Sequence, residues 1–346
     1  MDVKEVLSKL CSTESVTSDE SVISECLKDF FKENTDFFVS DDMKSHSFVK
    51  KGKSDKNIMI AAHMDEIGLM ITGVHEDGFL SFTPVGGVDP FTLIAQEIEI
   101  MSKEKVFGVI GVKPPHLNTK EDSEKSLKIS DLHIDTGFIY EKLKDLVSVG
   151  DIAYVKKDPI ELANNNFSGR ALDNKTGLAV MALCAENLKG YNLNHNIYFT
   201  ATTQEEIGSK GAVTSSYEIK PSLGIIVDVT FGITEDVGED YGFPLGKGPV
   251  IFIGSRIDKQ LTKLLQDTFA KYKHEYNIEV GPGTSGTDAD VIQLANEGTP
   301  CVVIFIPVRY MHSCVEVVNL KDIEALGFML AMFLKELDDF LWEGIL

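Results

Sequence analysis

The stretch NIYFTATTQEEIGSKGA, residues 196–212, joins an apolar run to two adjacent glutamates, Glu205 and Glu206. The run NIYFTATT is typical of a buried strand, and neighbouring residues on a strand point to opposite faces. Charged side chains at the end of a buried strand are costly unless something cationic meets them. The stretch therefore predicts a strand that carries carboxylates to a site at its carboxyl end.

Three more apolar runs have the same character: NIMIAAH (57–63), LGIIVDV (223–229) and CVVIFIP (301–307). Helical patterns separate the runs. A first helix would be capped by Ser18, one from about residue 174 would end at Gly190, and the last would be capped by Asn319. Strands that alternate with helices predict an α/β fold with a mostly parallel central sheet covered by helices on both faces.

The segment 69–162 differs from the rest of the chain. It holds short alternating runs such as VFGVIGV (106–112), separated by Gly-Gly and Pro-Pro turns, and this pattern predicts a small all-β module. Within it, EDSEKSLK (121–128) is typical of an exposed loop. The simplest partition is an α/β domain made of residues 1–68 and 163–346, interrupted by the β module.

The charge limits the possible partners. The 346 residues include 33 basic and 54 acidic side chains, and the net charge of −21 argues against binding to nucleic acids or acidic membranes. No apolar stretch reaches the roughly 18 residues of a membrane span. The start MDVKEVLSKL lacks the pattern of a signal peptide. We therefore expect a cytoplasmic protein with neither nucleic acid nor membrane as a partner.

The cysteines are odd in number and widely spaced: Cys11, Cys26, Cys184, Cys301 and Cys314. None forms a CxxC pair, so a zinc–thiolate site is not expected. Buried, reduced thiols are the better interpretation.

Polar side chains stand just beyond each predicted strand, and one more begins a helix in SGRALDNKTG (168–177). They are His63, Asp173, Glu205, Glu206, Asp228 and His312. In open α/β sheets, ligands bind beyond the carboxyl ends of the strands. Two imidazoles and several carboxylates suit zinc, cobalt or manganese, and a bridging carboxylate can hold two ions about 3.5–4 Å apart. Taken singly, each residue could instead be a cap, a turn former or a core residue.

Five stretches closely resemble the tetrahedral (TET) aminopeptidases: AAHMDEIGLM (61–70), SGRALDNKTG (168–177), TTQEEIGSKGA (202–212), IIVDVT (225–230) and RYMHSCVEVV (309–318). These enzymes are a di-zinc, glutamyl-aminopeptidase-like metallopeptidase family whose members are sometimes labelled endoglucanases. The order and spacing of the five stretches match along nearly the whole chain. The resemblance implies a metallopeptidase domain with an inserted PDZ-like β domain.

The resemblance also implies a role for each site residue. One metal ion would be held by His63 and Asp228, the other by Glu206 and His312, and Asp173 would bridge both. Glu205 would remain unbound and act as the general base on a metal-bridging water, because a carboxylate neutralised by two cations is a poor base. Asp65 would orient the imidazole ring of His63 without binding the metal ion itself. A cis peptide bond is expected between Asp173 and Asn174.

The same resemblance predicts two divalent ions per subunit, with zinc favoured over cobalt or manganese. It also predicts short peptides as substrates and self-association into a homododecamer. The sequence does not reveal which N-terminal residue is preferred. Asp288, in the loop GPGTSGTDADV (281–291), would shape the pocket or orient His312, or else belong to a turn before a helix, so it is not among the predicted site residues.

Three alternatives remain open at this stage. A related metal-dependent amidohydrolase could cleave N-acyl amino acids with the same ligands. Glycoside hydrolysis commonly uses a pair of carboxylates without metal, whereas this chain places its carboxylates beside two histidines. A non-catalytic metal-dependent scaffold would be favoured by loss of Glu205 or of a ligand, and all of them are present.

Overall fold

A computed structural model describes residues 1–117 and 126–342 of the chain. Within these residues the central sheet has eight strands, in the spatial order β1-β2-β12-β3-β13-β16-β14-β15. Their bounds are β1 (Phe37–Ser40), β2 (His46–Lys50), β3 (Asn57–His63), β12 (Asn196–Thr202), β13 (Leu223–Phe231), β14 (Val250–Gly254), β15 (Asn277–Gly281) and β16 (Cys301–Val308).

The four central strands, β12, β3, β13 and β16, are parallel, as the sequence predicts. The sheet as a whole is mixed, because the hairpin β1–β2 adds antiparallel strands on one side and β14 joins β16 in the antiparallel sense on the other. The parallel centre brings the carboxyl ends of four strands to one edge.

Helices cover both faces of the sheet. The longer ones are α1 (Val3–Cys11), α2 (Ser21–Phe31), α5 (Leu172–Asn187), α6 (Lys210–Ile219), α7 (Lys259–Tyr272) and α9 (Leu320–Trp342), and the short ones are α3 (Pro90–Leu93), α4 (Tyr140–Leu146) and α8 (Ala289–Ile292). Strand β3 shows why both faces are buried. Ile58 and Ile60 pack into one apolar cluster with α5 and α9, whereas Met59 and Ala61 pack into another with α6 and α8.

The helix ends agree with the sequence in part. Asn319 caps α9, since its Oδ1 accepts the backbone N–H of Lys321 at 3.1 Å. The cap predicted at Ser18 is wrong: α2 begins at Ser21, and its N-cap is Glu20, which makes no side-chain cap bond. Ser18 instead lies in a turn with φ of 79°. Its N–H donates to the Glu20 carboxylate at 3.0 Å.

The strands between β3 and α5 form a separate closed barrel in the order β4-β5-β8-β7-β6-β9. They are β4 (Gly68–Val74), β5 (Phe79–Val85), β6 (Glu97–Met101), β7 (Lys105–Val112), β8 (Leu132–Asp135) and β9 (Ile152–Val155). The barrel has its own apolar core. The predicted β module therefore exists as a closed barrel, while its PDZ-like character and the boundaries 69–162 stay predictions. Residues 121–125 of the predicted exposed loop lie outside the described residues.

A small three-stranded sheet links the segment before α5 with the segment after β16. It consists of β10 (Ile160–Glu161), β11 (Asn166–Gly169) and β17 (Glu316–Asn319). The pairing of Gly169 with Glu316 brings the segment that precedes α5 beside the segment that follows β16.

All five cysteines are free; four are buried and Cys314 is half-buried. This agrees with the predicted reduced thiols. Among the helices of the described residues, none combines the length and apolar character needed to cross a bilayer.

A buried ion cluster lies where β3, α1 and α5 meet. The carboxylate of Glu66 pairs with the guanidinium of Arg170 and, at 3.3 Å, with the ammonium of Lys175. Ser15 donates to the same carboxylate from both its backbone N–H and its hydroxyl, at 2.9 and 3.0 Å. Burial alone would raise the pKa of Glu66, but the charges of Arg170 and Lys175 lower it from 4.5 to about 2.

The Glu66→Gln variant is expected to lose about 3 kcal/mol of unfolding free energy at neutral pH, because two buried cations lose their counter-charge. The depressed pKa means that this stabilisation is complete above pH 4.5 and is lost as the pH falls towards 2. In urea unfolding, the gap between wild type and variant should therefore shrink below about pH 5. The exposed Glu76→Gln serves as control. A gap that does not change with pH would contradict the assignment.

Candidate active site

The six predicted metal-binding and catalytic side chains converge at the carboxyl edge of the parallel strands. His63 ends β3, Glu205 and Glu206 follow β12, Asp228 lies near the end of β13, His312 lies between β16 and β17, and Asp173 is the second residue of α5. A nitrogen of His63 and one carboxylate oxygen each of Asp173 and Glu206 lie within 4.8 Å of one another. The fold thus brings together residues separated by up to 249 positions (312 − 63) in the sequence.

Both histidines are held by backbone carbonyls in the same tautomer. His63 Nδ1 lies 3.1 Å from the carbonyl oxygen of Asp65, and His312 Nδ1 lies 3.1 Å from that of Gly87. A carbonyl oxygen can only accept, so each Nδ1 carries the hydrogen. In the neutral ring, each Nε2 then presents its lone pair, as a metal ligand must.

The carboxylate of Asp173 divides its two oxygens between these imidazoles. Its Oδ1 lies 3.1 Å from His63 Nε2, and its Oδ2 lies 3.4 Å from His312 Nε2. Asp228 Oδ1 approaches His63 Nε2 at 3.9 Å, and Glu206 Oε2 approaches His312 Nε2 at 3.7 Å. The side chains therefore fall into two sets that share Asp173.

These separations fit metal coordination. Two ligand atoms about 2.1 Å from one tetrahedral ion lie about 3.4 Å apart, and the four distances fall between 3.1 and 3.9 Å. The donors are imidazole nitrogens and carboxylate oxygens, which suit zinc, cobalt or manganese. The set thus fits two divalent ions bridged by one carboxylate. The peptide bond between Asp173 and Asn174 is cis, as predicted.

Burial and crowding disturb the protonation of the cluster. Burial raises the pKa of Glu206 to about 8 and that of Asp228 well above its usual range, and the charge of Asp173 adds to both effects. Burial opposes ionisation of Asp173 too, but hydrogen bonds with His312 and His63 hold its pKa below its usual range. Crowded buried carboxylates of this kind are stabilised in the ionised form by cations.

Glu205 differs from its neighbour. Among the described residues its carboxylate forms no ion pair within 4 Å with either histidine, and its Oε1 accepts the hydroxyl of Ser209 at 3.4 Å. It nevertheless lines the same cavity as the cluster. Burial raises the pKa of Glu205 to about 7.

Asp65 lies against the ring of His63 and also contacts the turn that follows β12. Its backbone carbonyl accepts from His63, whereas its carboxylate lies 3.6 Å from His63 Nδ1, too far for a hydrogen bond. The carboxylate instead accepts the N–H groups of Glu205 and Glu206, at 3.0 and 3.2 Å, and the hydroxyl of Thr17 at 2.9 Å. Asp65 thus fixes the turn that carries the two glutamates.

One buried carboxylate near the site is absent from the predicted set. Glu316 accepts the backbone N–H of Asp173 at 3.1 Å and that of His312 at 2.8 Å. It therefore holds together the backbone segments that carry the shared carboxylate and the second histidine. A single carboxylate within the apolar run VEVV (315–318) is the sequence signal that could have revealed it.

The carboxylate of Asp288 makes neither a hydrogen bond nor an ion pair with His312 among the described residues. Its Oδ2 accepts the hydroxyl of Thr202 at 2.5 Å, at the end of β12. Its Oδ1 is buried and has no hydrogen-bond partner among the described residues. Asp288 thus supports the strand end that leads to Glu205.

A family model described as M42 glutamyl aminopeptidase matches residues 45–329. The chain is 34% identical over 325 residues to a lysyl aminopeptidase of Pyrococcus furiosus, covering 92% of this chain and 93% of the relative.

Solved structures show the same likeness. A TET aminopeptidase from the marine sediment archaeon Thaumarchaeota archaeon SCGC AB-539-E09 has a TM-score of 0.94 and 26% identity, and 99% of each chain is covered. The dodecamer PhTET1-12s has a TM-score of 0.84 and 29% identity, covering 96% of this chain and 98% of that one. The chain therefore belongs to the peptidase M42 family and is a metallo-aminopeptidase.

Proposed function

We propose that this chain is a co-catalytic two-metal aminopeptidase that removes N-terminal residues from short peptides, with Glu205 as the general base. The observation that carries the proposal is the placement of Asp173, whose two oxygens face His63 and His312 separately. A carboxylate shared in this way suits two ions held side by side.

Each ion would be held by one histidine and one further carboxylate. His63 and Asp228 would hold the first, Glu206 and His312 the second, and Asp173 both. Zinc is the metal we favour, with cobalt or manganese possible on the same donors. When bound, the ions supply Lewis acidity toward the scissile carbonyl and the attacking water.

Glu205 would carry the proton transfers. Its half-buried carboxylate lines the cavity and forms no ion pair with either histidine among the described residues, so it could accept a proton from the attacking water and return it to the leaving amine. Asp65 holds the N–H groups of Glu205 and Glu206. These two hydrogen bonds fix the backbone of Glu205, the proposed base, and of Glu206, the proposed ligand, relative to each other.

Self-association into a homododecamer is also part of the proposal. Its support is the similarity of the chain to the dodecamer PhTET1-12s over nearly its full length. A related amidohydrolase remains the alternative reaction, and the peptidase names of the relatives favour the main one.

Metal removal tests the function. Enzyme stripped by a chelator is expected to lose hydrolysis of leucyl, glutamyl and lysyl p-nitroanilides, because the ligand set then holds no Lewis acid. Added zinc, cobalt or manganese should restore activity, with saturation at two ions per chain by elemental analysis. An N-acyl amino acid and a soluble cellulose serve as comparison substrates. Full activity in the stripped enzyme, or faster cleavage of the acyl amino acid, would contradict the proposal.

A further inference from the structure

The cavity beside the candidate metal cluster carries a carboxylate that the proposed mechanism does not use. The cavity has a volume of about 330 Å³ and is lined by the cluster residues together with Glu279. Its remaining lining is of hydroxyl and apolar side chains, chiefly Thr230, Phe231, Ser285, Thr287, Phe305 and Met311. Among the described residues, no lysine or arginine lines this cavity.

Glu279 is tied to the strand that carries a predicted metal ligand. It lies in β15, and its Oε2 accepts the hydroxyl of Thr230 at 2.7 Å. Thr230 follows Asp228 by two positions in β13, so the two side chains point to the same face of the strand. Two positions along a strand span about 6.6 Å. The Glu279 carboxylate therefore lies within reach of the side chain of a residue bound at the cluster.

The charge of Glu279 lacks compensation within the described part of the chain. No cationic side chain there forms an ion pair with it, and the hydroxyl of Thr230 alone favours its ionised form. Burial has the opposite and larger effect, so the pKa of Glu279 is raised. A cation entering the cavity would form a charge-assisted hydrogen bond in partly desolvated surroundings, where such bonds are strong.

On the basis of the proposed function, we infer that Glu279 selects substrates whose N-terminal residue has a basic side chain, above all lysine. Phe305 and Met311 offer apolar surface to the four-carbon stem of lysine, and its ammonium group meets the carboxylate. A glutamyl side chain would meet a like charge with no lysine or arginine of the lining to offset it. The cavity thus both attracts one class of substrate and repels another.

Glu279 could instead bind the α-amino group, which every aminopeptidase substrate shares. Loss of the carboxylate would then lower kcat/KM for all substrates by the same factor. Selection of the side chain changes the ratio of kcat/KM between substrates, so the ratio distinguishes the two roles.

The test compares lysyl, leucyl and glutamyl p-nitroanilides on the full chain loaded with zinc. The wild type is expected to favour the lysyl substrate. In Glu279→Gln the lysyl-to-leucyl ratio of kcat/KM should fall about tenfold, the effect of losing one charge-assisted hydrogen bond. In Glu279→Lys the glutamyl substrate should overtake the lysyl one. Glu275→Gln, an exposed glutamate just before β15, is the matched control and should keep the wild-type ratio.

Three results would overturn the inference: an unchanged ratio in Glu279→Gln, an equal loss for all three substrates, or a wild type that prefers the glutamyl substrate. Metal content and circular dichroism of each variant show whether the fold and the metal site persist. Failure of the zinc-loaded wild type to cleave any of the three substrates would instead overturn the aminopeptidase proposal, and the inference with it.

Discussion

The Glu205→Gln variant is expected to keep its metal ions and to lose about 10²–10⁴-fold in kcat, the usual contribution of a general base. Glutamine has the size of glutamate but cannot accept the proton of the attacking water. Among the described residues Glu205 forms no ion pair within 4 Å with His63 or His312, so the substitution removes no hydrogen-bond partner of either imidazole. KM should therefore change little. Steady-state kinetics on a p-nitroanilide, with elemental analysis of the same sample, gives both quantities.

The matched control for this variant is Glu218→Gln, an exposed glutamate on α6, which should behave as the wild type. A Glu205→Gln enzyme with a nearly normal rate would remove Glu205 from the role of base. A variant that instead loses metal would show that Glu205 is a ligand. Either result would require a different assignment of the two adjacent glutamates.

The Asp173→Ala variant is expected to lose both metal ions and, with them, all measurable hydrolysis. The reason is that each oxygen of Asp173 faces a different histidine, so the substitution removes a ligand from both sites at once. Metal per chain should fall from two ions to nearly none after gel filtration. Competition with a chelator measures the same loss as a change in affinity.

His312→Ala provides the comparison, because His312 belongs to only one of the two proposed sites. We expect this variant to lose one ion and keep the other, held by His63, Asp173 and Asp228. Circular dichroism establishes that both variants are folded. Full occupancy in Asp173→Ala, or equal losses in the two variants, would contradict a bridging role for Asp173.

The sequence predicts the location of the candidate site well, because that location follows from the topology of the sheet. Parallel strands in one sheet share a carboxyl edge, so a polar residue after each apolar run is brought near the others however far apart they are in the chain. His63 and His312 illustrate this, since both contact Asp173 from opposite ends of the sequence. The resemblance then assigns each residue a role that spacing alone leaves open.

Other features depend on contacts that leave little trace in the sequence. The reversed direction of β14 and the cap of α2 depend on tertiary pairing, and side-chain patterns do not encode them. The hydrogen bonds that orient the two imidazoles come from backbone carbonyls, which every residue possesses. Glu316 acts on backbone N–H groups and so has no spacing motif of its own. Cytoplasmic location, the PDZ-like character of the barrel and the domain boundaries stay predictions.

The backbone carbonyl that orients His312 belongs to Gly87, in the segment that follows a strand of the barrel. Gly87 lies just after β5, and it fixes the ring of His312 through its carbonyl oxygen. A methyl group at Gly87 would come within 2.7 Å of the imidazole Nδ1, so only glycine permits this approach. The segment that follows β5 thus contacts one of the two proposed metal sites, so we expect a displacement of the barrel to change the orientation of the His312 ring.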